Sequence, residues 1–95
     1  MKSELKTDTT AGMFVFKVIL PTKLLCSIVS ICIHEIPSLS INVEHSFAGS
    51  EYRLAHFTGS TEYLPHLYAA FIVTKAQVPN TLQEAVFPQK SHSLS

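Results

Sequence analysis

Glycine is scarce in this chain: three in 95 residues, at Gly12, Gly49 and Gly59. A phosphate cradle made of backbone N–H groups needs several glycines in one loop, and these three stand far apart. No Gly-x-Gly-x-x-Gly, Walker-type loop or Gly-x-Ser-x-Gly elbow occurs, so the usual nucleotide-loop and hydrolase signatures are excluded. Charge is thin as well. Charged residues make up 15% of the chain, against about 25% in ordinary soluble domains. The apolar share is 46%, and eleven serines and eight threonines carry much of the solvation. Lys and Arg balance Asp and Glu at seven each. A net charge of zero gives no field to steer a polyanion, which argues against nucleic acid as a partner, and it favours self-association.

Cysteine is limited to Cys26 and Cys32, both inside the apolar stretch 24–33. Six positions apart, they point to different faces of a helix, or lie about 20 Å apart along a strand, beyond the roughly 7 Å reach of a disulfide. Two small buried hydrophobes and no intrachain bond are expected. Histidine is the one metal-ligating type in quantity, with His34, His45, His56 and His66 at intervals of eleven, eleven and ten. Zinc sites use close pairs, and none is present; His34-Glu35 opens like a zincin helix, but Ser38 stands where the second histidine belongs and Pro37 breaks the helix. No catalytic, metal or cofactor-binding residue is assigned, no cofactor is expected, and the chain reads as non-enzymatic.

Along the chain, residues 1–12 are polar and without apolar periodicity, which reads as a disordered leader. Residues 13–20, Met-Phe-Val-Phe-Lys-Val-Ile-Leu, are β-branched and aromatic and favour a strand stopped by Pro21. Joined to the apolar run at 24–33, this stretch becomes a 21-residue segment, 13–33, with 15 apolar residues. That is long enough for a hydrocarbon core of about 30 Å, although Lys23 at its midpoint costs about 2.5–3.5 kcal/mol on the insertion scale. A shifted frame puts four lysines before an h-region at 24–33, with Ser38 and Ser40 at the −3 and −1 positions of a cut. The alternative places 24–33 as a buried strand or helix of a soluble domain.

Residues 39–47 alternate strictly, Leu39, Ile41, Val43, His45 and Phe47 against Ser40, Asn42, Glu44 and Ser46, which predicts a half-buried strand. A turn at Gly49 and a second strand over 52–56 complete a hairpin. Two ten-residue stretches, 47–56 and 57–66, share Phe, Gly, Ser, Leu and His in register, which supports at most a three-stranded meander. A helix is expected from Pro65 to Val78, with a strand through Phe71, Ile72 and Val73 as the competing reading, and Thr81 and Glu84 form a capping-box pattern before a short turn over 82–87. Residues 88–95 read as a disordered tail.

The hexapeptide Phe57-Thr58-Gly59-Ser60-Thr61-Glu62 resembles the nicotinamide-loop segment of aldehyde dehydrogenases. The resemblance covers six residues, lacks the following Glu-Leu-Gly-Gly and the catalytic cysteine, and carries no site over.

The expected architecture is a small α+β chain: leader 1–12, apolar segment 13–33 as signal-anchor or core element, hairpin-plus-helix region 39–87, and tail 88–95. The functional expectation is a small non-enzymatic protein associated with membrane through 24–33, in the membrane or secretory pathway rather than the cytoplasm. Two alternatives stand beside it, a soluble α+β protein-interaction module and a short open reading frame without a selected function.

Overall fold

Alternation shapes the first long strand. In the computed structural model, which describes residues 3–8, 10–44 and 51–87, strand β2 (Met13–Pro21) buries Phe14, Phe16, Val18 and Leu20 on one face. Lys17, the charge that interrupts the apolar run, falls on the other face and costs the core nothing.

Strand β1 (Ser3–Asp8) pairs antiparallel with β2, so the stretch expected as a disordered leader is an edge strand. Its turn is set by Asp8, whose Oδ1 accepts from the N–H groups of Thr10 (3.0 Å) and Ala11 (3.2 Å). Gly12 follows at φ +66°, a left-handed backbone that glycine adopts without steric cost. Only Leu5 on β1 is a large apolar side chain, packed partly against the core, and the strand's partner supplies the order that its own composition does not.

Pro21 closes β2, and helix α1 (Thr22–Glu35) begins at the next residue. Thr22 fixes this junction by donating both its N–H (2.7 Å) and its Oγ1–H (2.8 Å) to the Glu51 carbonyl. Leu25, Ile28 and Cys32, at i, i+3 and i+7, face the sheet and are buried, while Lys23, Ser27, Ser30 and His34 form an exposed polar stripe. The helix stops before Pro37, whose ring disfavours helical backbone at Ile36 (φ −131°, ψ 75°).

The single apolar segment expected over 13–33 is thus a strand and an amphipathic helix. Among the described residues no helix is long and apolar enough to cross a membrane. With 14 residues, α1 is about 21 Å long, short of the roughly 30 Å of hydrocarbon core.

Strand β3 (Ser40–Glu44) and strand β4 (Tyr52–Ser60) pair antiparallel, as the alternation predicts. The turn between them, with His45, Phe47 and Gly49, lies outside the described residues, as does the tail 88–95. The meander does not form: β4 runs unbroken through Phe57, the start of the second ten-residue stretch, because Ala55, Phe57 and Gly59 all turn inward in one period. Gly59 is closely packed, since a Cβ there would lie 2.8 Å from Leu39 Cδ1 and that side chain would have to shift.

A 3-10 turn (Thr61–Tyr63) leads into helix α2 (Leu64–Val73), with Pro65 in its first turn. The helix ends five residues before the expected Val78. Thr74 Oγ1 donates back to the Ala70 and Phe71 carbonyls, both at 3.0 Å, and Lys75 turns left-handed at φ 61°. The Ala76 N–H then reaches the Phe71 carbonyl at 2.9 Å, the six-to-one bond of a Schellman ending. Helix α3 (Asn80–Val86) follows Pro79 and buries Leu82. The capping box expected from Thr81 and Glu84 makes no side-chain cap; the Thr81 hydroxyl instead bonds Ser3 Oγ at 2.8 Å, tying α3 to β1.

The sheet order is β1-β2-β4-β3, antiparallel throughout. Strands β2 and β3 run parallel with β4 between them, a split β-α-β unit closed by α1. Carrying β1 from the front of the chain to its end would give the β-α-β-β-α-β order. Helices cover one face of the sheet. Phe16 sits at the centre of that layer, its ring 6.1 Å from Phe57 and 6.2 Å, edge-on, from Phe71.

Candidate interaction groove

Helix α1 has a second surface beside its buried one. Thr22, Cys26, Val29 and Ile33, at i, i+4, i+7 and i+11, form a stripe that overhangs the β3 edge of the sheet. This stripe and Val43 of β3, with Arg53 of β4 at one end and Leu25 as the floor, bound an open groove of about 520 Å³. Ile33 stands 63% exposed at its rim, so a large aliphatic group faces solvent where the groove opens. Among the described residues the lining holds hydroxyls, a thiol and one guanidinium but neither a carboxylate nor an imidazole. Its apolar residues offer burial and shape to a ligand.

The cysteines, expected as a buried pair, separate. Cys26 is exposed in the groove and Cys32 is buried under α1, both free thiols. Burial pushes the Cys32 thiol from its ordinary 9.0 up to about 11, because a thiolate would lose its hydration there. Ellman's reagent should modify Cys26 alone in native protein and both thiols in denaturant. As pH rises from about 9 through about 11, the unfolded chain releases this proton first. The folded state then holds more protons, and stability falls over that window. A Cys32→Ala variant should lose this part of the alkaline slope in urea titrations.

The histidines do not converge. His34 lies exposed on α1, His66 lies exposed on α2, and His56 points to the uncovered face of β4. His45 and His92 fall outside the described residues. His56 Nε2 is 3.1 Å from Glu44 Oε2, yet no acceptor lies in line with that nitrogen. The contact is an ion pair when the imidazole is protonated, not a hydrogen bond. Among the described residues no three His, Cys, Asp or Glu side chains group as metal ligands. The hexapeptide 57–62 forms the end of β4 and the start of the 3-10 turn, with Phe57 in the core and Gly59 under Leu39.

Sequence reasoning assigned no site residue and did not single out the groove. The apolar composition of 24–33 hides the period of its apolar positions, but the polar stripe at 23, 27, 30 and 34 shows it. Once that stripe sets the helix, 22, 26, 29 and 33 form the neighbouring one. Set beside family models, curated proteins and solved structures, the chain matches none. A fold alone assigns no activity, so function has to be argued from the surface.

Proposed function

We propose that the chain is a non-enzymatic protein-interaction module that takes up an apolar, extended segment of a protein partner along β3 and in the adjoining groove. The observation that carries this reading is the coincidence of two unsatisfied surfaces. Strand β3 is the last in the sheet order, so its outer N–H and C=O groups face no further strand among the described residues. The apolar groove opens beside that same edge. Strand addition uses both at once: backbone bonds along the edge supply affinity, and alternate side chains entering the groove supply selectivity.

The test is a titration of isotopically labelled full-length protein with a lysine-flanked alternating Thr-Val nonapeptide, followed by amide NMR. Saturable shifts should centre on β3 and on Cys26, Val29 and Ile33. Ile33→Lys should weaken binding about tenfold, or 1.4 kcal/mol, without lowering the melting temperature. Shifts confined to the uncovered sheet face, or no saturation, would overturn the reading.

A further inference from the structure

We infer that the segment received at the β3 edge is β3 of a second copy, paired antiparallel about a two-fold axis through Asn42. This rests on the strand-addition reading above and names its partner.

The strand is self-complementary in that register. Ile41 meets Val43 of the second copy, and Val43 meets its Ile41, so both apolar pairs form on the helix-covered face where these residues are half-buried. On the uncovered face Asn42 meets Asn42, and Ser40 meets Glu44. No like charges oppose one another. This register pairs all five residues of Ser40–Glu44.

The same geometry explains the groove. Directly opposed residues of antiparallel strands share a face, so this pairing keeps both helical layers on one side of a continuous eight-stranded sheet, counted from four in each copy. The α1 stripes then flank the seam from both sides, and the groove of each copy, bounded by its Ile33 and Val43, opens onto it. Edge strands that stay single are usually guarded by lysine, proline or a bulge. Ser40–Glu44 has neither lysine nor proline, and its one charge, Glu44, lies on the far face, 3.1 Å from His56 Nε2. A net charge of zero leaves no long-range repulsion between copies.

Sedimentation velocity of the full chain over a wide concentration range should show a reversible monomer–dimer equilibrium, shifted about tenfold towards monomer by Ile33→Lys. In a Cys26→Ser background, oxidised glutathione should link Asn42→Cys into a disulfide dimer. Two thiols give one disulfide, and glutathione leaves reduced. Glu44→Cys should stay unlinked, because in this register its own equivalent lies several residues away along the seam. Monomer at all concentrations with the Thr-Val peptide still bound would overturn the second copy and leave the strand-addition reading standing. Monomer without peptide binding would overturn both. Linking of Glu44→Cys as readily as Asn42→Cys, or a dimer in which Asn42→Cys stays reduced, would overturn the register.

Discussion

Phe16→Ala should remove a large part of the stability of the fold. Phe16 is fully buried on β2, a central strand of the sheet, with the Phe57 and Phe71 rings about it at 6.1 and 6.2 Å. Deleting a buried phenylalanine ring costs about 3–5 kcal/mol through lost transfer energy and the cavity left behind. Its two aromatic neighbours also lose geometry worth about 0.5–1.5 kcal/mol a pair. A domain of this size has on the order of 5–14 kcal/mol to lose. The melting temperature should fall by more than about 12 °C, at roughly 4–8 °C per kcal/mol. Val15→Ala, one position away on the uncovered face, should move it far less. Urea titrations followed by circular dichroism check both. Equal, small shifts would mean that the face of β2 is assigned wrongly.

The strand over 13–20 was legible from its aromatic and β-branched residues, but its buried face was not, because Val15 and Ile19 are as apolar as Phe14, Phe16, Val18 and Leu20 and only Lys17 marks the outer side. The hairpin strand was legible from its strict alternation, which the structure bears out over Ser40–Glu44. The prolines were legible one by one, yet their agreement shows only in the fold. Pro21 ends β2, Pro37 follows α1, Pro65 opens α2 and Pro79 precedes α3. What looked like interruption of apolar runs is punctuation between elements, which counts against a weakly specified chain.

Strand β1 was not legible from its own pattern. An edge strand with one apolar residue, Leu5, has no alternation to read, and it is ordered by its ladder to β2 and by the Ser3–Thr81 bond. The Asp8 and Gly12 turn chemistry was its only local sign. Thr81 illustrates the opposite failure. Its capping-box spacing is present, but α3 starts one residue earlier, at Asn80 behind Pro79, so Thr81 sits inside the helix and its hydroxyl bonds Ser3 instead. The groove could not have been read at all without the sheet order, because it depends on β3 being outermost beside α1.

Ile28→Lys and Ile33→Lys should part company, and the contrast decides what residues 24–33 are. Ile28 is fully buried against the sheet, whereas Ile33 is 63% exposed. A lysine at 28 must either bring an unpaired ammonium into the core or give up its proton, at a cost on the order of several kcal/mol. The chain should then fail to give a cooperative melt. A lysine at 33 projects into solvent and should stay within about 0.5 kcal/mol of the parent, while still weakening the interactions of the groove. A segment inserted in a bilayer would behave differently, since a lysine at either position costs about 2.5–3.5 kcal/mol near its centre and less towards its ends, with no dependence on helical face. Thermal unfolding of the two variants beside the parent therefore reads the helix periodicity directly. A large loss at 28 with none at 33 is the signature of an amphipathic helix on a sheet, and matched losses would show that α1 does not present this face to the core.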